Sequence, residues 1–257
     1  MQIFHAIILG AVEGVTEFLP VSSTGHLIIS STLLGLPSSE FLKSFEIAIQ
    51  LGAIAAVALV YRKTLLAGPA VWTRIAVAFA PTAIIGLALH SVVKKYLLGD
   101  VNVVLWSLFL GGIALIIFER FHHERAGDAA DIRTITHRQA FLIGVAQSVA
   151  IVPGVSRSAA TILGGLALGV KRTTIVEFSF LLAVPTMVAA TGLDLLKSAG
   201  EFSSQDAFAL AVGGVVAFGV AHISIRFLLD YVRRHHFTAF GIYRIAAALI
   251  FFMILRP

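Results

Sequence analysis

Residues 3–36 read IFHAIILGAVEGVTEFLPVSSTGHLIISSTLLGL. Two apolar runs, 3–19 and 24–36, are parted by Pro20-Val21-Ser22-Ser23. Both fall short of the about 20 apolar residues that a helix needs to cross a bilayer. A proline stops one helix and hydroxyls cap the next, so this stretch reads as a re-entrant helical hairpin. The same pattern returns at 139–169, where runs 139–152 and 158–169 flank Pro153-Gly154-Val155-Ser156-Arg157. Irregular backbone at membrane depth is tolerated only where it lines a cavity. Each break therefore marks a candidate site.

Outward from the two hairpins lie six longer apolar segments, at 45–61, 75–93, 101–118, 177–196, 207–229 and 238–255. Each is long enough to be read as a span, and the order of one hairpin followed by three spans occurs twice. At an offset of 133 or 134, Gly10 falls on Gly144, Glu13 on Gln147, Pro20 on Pro153, Ser23 on Ser156, Phe45 on Phe178 and Gly86 on Gly219. Three spans per half would turn the second half upside down. The predicted fold is an all-α polytopic membrane protein built as an inverted repeat, residues 1–125 and 126–257 forming one integrated membrane domain. Such architectures place their site near the midplane, where broken helices meet.

Composition agrees. Hydrophobic residues make up 58% of the 257 and charged residues only 13%, against about a quarter in soluble domains; the mean hydropathy is +0.94. With no cysteine, neither a disulfide framework nor a thiolate metal site is available. The net charge of +5 does not point to nucleic acid, because the basic residues fall in short loops between apolar segments. Eleven of them, among them Arg62, Arg74, Arg125, Arg172 and Arg233, collect on one side against five on the other, Lys43, Lys94, Lys95, Lys197 and Arg256. The positive-inside rule puts the larger set in the cytoplasm. Both termini then face outward, the first hairpin enters from outside and the second from the cytoplasm. The N-terminus has no basic leader and carries Glu13 and Glu17, which argues against a cleaved signal peptide.

Glu13 and Glu17, four residues apart, share one helix face. A carboxylate pair in an apolar helix is expensive unless it binds a cation, shares a proton, pairs with a base, or reaches water at the helix end. Ser22, Ser23 and Thr24 are ready N-caps, and the helix start they cap also presents free N–H groups to an anion. His26 follows by about one turn, either a packed histidine or the base a serine nucleophile needs. At the second tip, Arg157 stands among Ser156, Ser158 and Thr161. A guanidinium beside hydroxyls and a helix N-terminus suits phosphate oxygens; the alternative is an ion pair with Glu13 or Glu17. Together the two tips can hold a divalent cation and a diphosphate. Elsewhere, Glu46 and Gln50 lie one turn apart at the start of a span, and Arg244 sits inside the last span without a legible partner. His122, His123, His235 and His236 read as solvated loop residues without zinc-site spacing, and Asp128 and Asp131 belong to the loop between the halves.

The segments EGVTEFLPVSSTGH at 13–26, PGVSRSAAT at 153–161 and FEIAIQLGAI at 45–54 resemble the undecaprenyl-diphosphate phosphatase family linked to bacitracin resistance, and the likeness runs over essentially the whole chain. The resemblance implies hydrolysis of undecaprenyl diphosphate to the monophosphate, recycling the lipid carrier of cell-wall synthesis. The family's motif residues map onto Glu13, Glu17, Ser22, Ser23, His26, Ser156, Arg157, Ser158 and Thr161. With the chemistry of the tips this gives catalytic roles to Glu17, Ser23, His26 and Arg157, and substrate binding to Ser22, Thr24, Ser156, Arg157, Ser158 and Thr161. A cation, Mg2+ or Ca2+, would sit on Glu13 and Glu17. The nucleophile stays open between Ser23, activated by Glu17 or His26, His26 itself, and water. The expected setting is the bacterial inner membrane, with the site opening to the periplasm, polyprenyl diphosphate and membrane lipids as partners, and a homodimer left open. A lipid-phosphate flippase or ion-coupled transporter could use the same midplane site, and phosphate release in detergent separates the two.

Overall fold

A computed structural model of the chain describes residues 1–66, 68–97, 100–198 and 204–254. Their structure is helical apart from loops and one isolated bridge between Ala129 and Val170. The first hairpin is α1 (Ile3–Thr16) and α2 (Ser23–Leu33). After it come α3 (Glu40–Ala48), α4 (Gln50–Val60), the single turn α5 (Arg62–Leu65), α6 (Pro69–Tyr96) and α7 (Val101–Phe121). The second hairpin is α8 (His137–Ser148) and α9 (Arg157–Ala167), followed by α10 (Arg172–Ser198), α11 (Ser204–Val232) and α12 (Thr238–Ile254).

Among the described residues, five segments are long and apolar enough to cross a membrane: Glu40–Val60, Pro69–Leu89, Val101–Phe121, Arg172–Leu193 and Asp206–Val232. The chain is a multi-pass membrane protein. The sixth expected span, 238–255, corresponds to the apolar helix α12, described over 17 residues; its expected last residue, like Arg256, lies outside the described residues. The first span is two helices rather than one, α3 and α4 meeting at Ile49. The second span, α6, starts earlier than hydropathy suggested, because Gly68 at φ 105° turns the chain and Pro69 opens the helix.

The two hairpin corners are built alike. Ser22 (φ 74°) and Ser156 (φ 77°) are the non-glycine residues with positive φ among the described residues. Each caps its helix, Ser22 Oγ accepting from Gly25 N at 3.4 Å and Ser156 Oγ from Ala159 N at 3.2 Å. The structural equivalent of Ser156 is thus Ser22, not the Ser23 that proline alignment suggested. The second corner holds one more residue between proline and cap, Gly154 at φ 91°, which shifts the register by one.

The halves interlock. α1 packs on α11 of the second half, α8 packs on α6 of the first, and α7 lies along α12. Two glycines permit these close crossings: a Cβ on Gly10 would stand 2.5 Å from the carbonyl oxygen of Gly213, and one on Gly144 would collide with that of Ala78. The core between them is apolar, with Phe18 meeting Phe180 edge-on at 5.1 Å. Large apolar side chains such as Ile84, Trp106, Val215 and Phe227 face outward, as lipid-facing positions should. In the loop between the halves, Arg133 bonds Asp131 and holds its carboxyl down to about 2.

One basic loop residue differs from the reading of sequence, and two of the loop histidines gain contacts. Arg172 is buried rather than free in a loop, bonding both oxygens of Glu119, the second at 3.0 Å. His236 Nδ1 is 3.2 Å from the same carboxylate, and His122 stacks on Phe118 at 4.8 Å. A carboxylate on α7, invisible as a partner in sequence, gathers Arg172 and His236 at one end of the molecule.

Candidate active site

The hairpin tips touch. Ser158 at the start of α9 donates to the carbonyl of Phe18 at 2.9 Å, and a Cβ on Gly25 would stand 3.6 Å from Cα of Gly154. Behind them lies Arg244 of α12, fully buried. Its guanidinium donates to Ser107 and Leu108 on α7 at 3.0 and 3.3 Å. It also donates to Pro20 of the first tip at 3.2 Å and to Gly154 and Val155 of the second at 3.0 Å each. A buried cation needs its hydrogen bonds made; here five backbone carbonyls take them, and in doing so fix both tips against α7.

The centre of the contact is Glu17, the residue that ends α1. Arg157, first residue of α9, donates from Nη2 to Glu17 Oε1 at 3.0 Å. Its Nη1 donates to the carbonyl and hydroxyl of Ser179 on α10 at 2.7 and 3.1 Å. Its Nε is buried without a partner. Ser23, first residue of α2, donates its hydroxyl to the other oxygen of Glu17. Since Ser22 and Ser156 are equivalent, so are Ser23 and Arg157. One hairpin tip supplies a hydroxyl, the other a guanidinium, and both converge on one carboxylate.

One turn earlier, Glu13 is fully buried and neither of its carboxylate oxygens finds a donor. The charged groups that act on it are Glu17, Glu46 and Arg157. Among the described residues no three His, Cys, Asp or Glu side chains gather as a metal cage. Magnesium typically needs only one or two carboxylates, completing its shell with phosphate oxygens and water. The undonated oxygens of Glu13 beside Glu17 fit that requirement.

A cavity of about 570 Å³ opens at the tips, walled there by Glu17, Ser22, Ser23, Thr24, Ser156 and Arg157. Gln50, Thr82, Gln147 and Thr186 line its flank. Gln147 donates to Thr82 and Thr186 at 3.0 and 3.4 Å and lies 3.0 Å from the Thr161 hydroxyl through its carbonyl oxygen. Four of the residues singled out in sequence stand behind this wall: Glu13, His26, Ser158 and Thr161. Thr161 is within 2.8 Å of the carbonyl of Arg157 in its own helix. Nδ1–H of His26 donates to the carbonyl of Ser22 at 2.7 Å. That fixes the tautomer, so the hydroxyl of Tyr243 donates to Nε2, 2.8 Å away. The imidazole holds the first corner and is not brought to the Ser23 hydroxyl. Glu46 takes a hydrogen bond from Ser31 at 2.6 Å and stays off the cavity wall, whereas Gln50 is on it.

Ser179, Tyr243, Thr82 and Thr186 were not singled out in sequence. Single hydroxyls in apolar helices carry no local mark; only Gln147, opposite Glu13 in the repeat, had one. Arg244 did announce itself, as a cation inside an apolar span, but not its partners.

The fold and this site define a multi-pass membrane protein with a charged, hydroxyl-rich cavity at the junction of two helical hairpins. The chain matches the family described as bacitracin resistance protein BacA over residues 6–250. It is 46% identical over 251 residues to an undecaprenyl-diphosphatase of Aquifex aeolicus, with 98% of each chain covered. It is 48% identical to one of Wolinella succinogenes, covering 98% of this chain and 97% of that one, and 48% identical to one of Persephonella marina, covering 98% and 99%. The chain belongs to the bacitracin-resistance family.

Proposed function

We propose that the chain removes the terminal phosphate of undecaprenyl diphosphate at the junction of the hairpin tips, returning the lipid carrier as monophosphate to cell-wall synthesis and thereby conferring bacitracin resistance. The family and its relatives' activity support this reading, and one observation carries it: Ser23 and Arg157 meet on Glu17 at the wall of the cavity. Phosphoryl transfer depends mostly on positioning and charge neutralisation. The unpartnered Nε of Arg157 and the capped start of α9 offer donors to phosphate oxygens.

In the step itself, Ser23 Oγ forms a bond to the terminal phosphorus while the bond to the bridging oxygen breaks. The serine proton passes to Glu17, which already accepts its hydrogen bond, and undecaprenyl phosphate leaves. The proton on Glu17 leaves with the undecaprenyl phosphate. Water, deprotonated by the restored carboxylate, then attacks the phosphorus, the bond to Ser23 Oγ breaks, Ser23 takes the proton back from Glu17, and phosphate is released. Ser23 with Glu17 is favoured over His26 because both nitrogens of His26 are engaged elsewhere. Glu13, with Glu17, would hold a divalent cation, which supplies charge neutralisation for the diphosphate.

The inverted repeat belongs to the same reading. The matched corners, the reciprocal packing of α1 on α11 and α8 on α6, and the loop charges support two hairpins entering from opposite faces, with both termini outside and the site facing the periplasm. Phosphate release from undecaprenyl diphosphate by the purified protein in detergent tests the activity, and a protein that releases none is not a phosphatase. Cysteines placed at the exposed positions Ser38 and Arg125 of this cysteine-free chain should label from outside and inside respectively.

A further inference from the structure

The cavity does not end at its polar residues. Leu87 of α6 lines it and is nonetheless 67% exposed, and Ala189 and Ala190 of α10 both line it and face outward. It therefore opens sideways, between α6 and α10, onto the lipid-facing surface. The passage is walled by small residues. Gly86 faces it, and a Cβ there would meet no atom within 4 Å, so the space beside this glycine is open. Gly86 stands four residues beyond Thr82, which bonds Gln147 on the polar flank. Four residues are about 6 Å along a helix. A ligand with its charged end at Arg157 and an apolar tail leading to the bilayer would pass this point.

We infer that Gly86 is a specificity-determining residue, its missing side chain leaving the lateral passage through which the isoprenyl chain runs from the site to the bilayer. This rests on the phosphatase reading, and it adds the path of the chain and the residue that gauges it. A glycine near the lipid-exposed end of a membrane helix has no need to be one for close helix packing here, since nothing crowds its Cβ. What it leaves room for is a ligand.

The test compares kcat/KM for undecaprenyl and farnesyl diphosphate in the wild type, Gly86→Phe and Ile84→Phe. Ile84 is 68% exposed and does not line the cavity, so its variant controls for a bulky residue on the same helix and should match the wild type. Gly86→Phe should lower the value for undecaprenyl diphosphate by at least about tenfold, the scale at which an apolar pocket discriminates, and that for farnesyl diphosphate by a smaller factor. Equal losses on both substrates, or no loss on either, overturn the inference. Where Gly86→Phe does not fold, Gly86→Cys serves instead: undecaprenyl phosphate should slow its reaction with a maleimide and inorganic diphosphate should not. A labelling rate indifferent to the lipid overturns the passage. Wild-type protein releasing no phosphate from either substrate would sink the phosphatase reading alone, because the protection experiment reads chain occupancy without turnover.

Discussion

Ser22 and Ser156 take the chain through the same left-handed corner, and each caps the helix that follows. The residues around the two corners then part company. After Ser22 comes Ser23; after Ser156 comes Arg157. One helix earlier, Glu13 has two oxygens without a donor, while its counterpart Gln147 is bonded to Thr82, Thr161 and Thr186. The two corners share their backbone turn and divide the charge: the first tip supplies carboxylates and the Ser23 hydroxyl, the second the Arg157 cation and a neutral, satisfied amide. A buried amide can be completed by hydroxyls from its own protein, whereas a buried carboxylate beside another needs a positive partner from outside the pair.

The strongest way to break this division is Glu17→Gln, because Glu17 is where the two arms meet. The rate should fall by roughly 10³-fold or more, as for loss of a general base, and Ser23→Ala should match it. A Glu17→Gln protein with near-normal phosphate release would show that the two arms do not act through this carboxylate. Next comes the cationic arm: Arg157→Ala should cost roughly 10²–10³ in rate, with the protein still inserted. Arg157→Lys should recover little, since a single ammonium cannot serve Glu17 and Ser179 in the fork geometry seen here. Full rescue by lysine would reduce Arg157 to a point charge.

A paired exchange sharpens the contrast between Glu13 and Gln147. Glu13→Gln should raise the magnesium concentration for half-maximal rate by at least about tenfold. Gln147→Leu should leave that requirement where it is in the wild type and instead lower stability by about 1–3 kcal/mol, by stranding buried hydroxyls, read as a shift in thermal unfolding. The reverse pattern, with metal dependence following Gln147, would assign the charge division wrongly. The smallest effect belongs to Tyr243→Phe, which removes one hydrogen bond to His26, worth about 1 kcal/mol. Turnover should drop by less than about tenfold and the pH–rate profile should keep its shape. A displaced acid limb would mean that His26 itself titrates in the reaction.

Much of the site could be read without coordinates, since Glu17, Ser23 and Arg157 were each out of place in an apolar run, and only a site or a partner explains them. What stayed illegible were roles that depend on direction. His26 follows the serines closely in sequence, yet its ring turns back to the carbonyl of Ser22 and out to Tyr243. Ser158 and Thr161 have the right chemistry for an anion and spend it on Phe18, Gln147 and their own helix. Sequence spacing gives neighbours along a helix; it does not give the rotation of that helix about its axis, which packing against other helices sets.

By itself the sequence determined the solvent and the breaks. Apolar runs of spanning length require a bilayer, and a proline with hydroxyls inside a short run interrupts a helix whatever surrounds it, because both effects are local to a few residues. It also determined which residues needed a partner. The tertiary structure decided who the partners are: Arg157 for Glu17 rather than Glu13, backbone carbonyls of both tips for Arg244, threonines of α6, α9 and α10 for Gln147. Those pairings join residues up to 224 positions apart, and they exist only because α1 crosses α11 and α8 crosses α6 closely enough, over Gly10 and Gly144, to bring the two corners together.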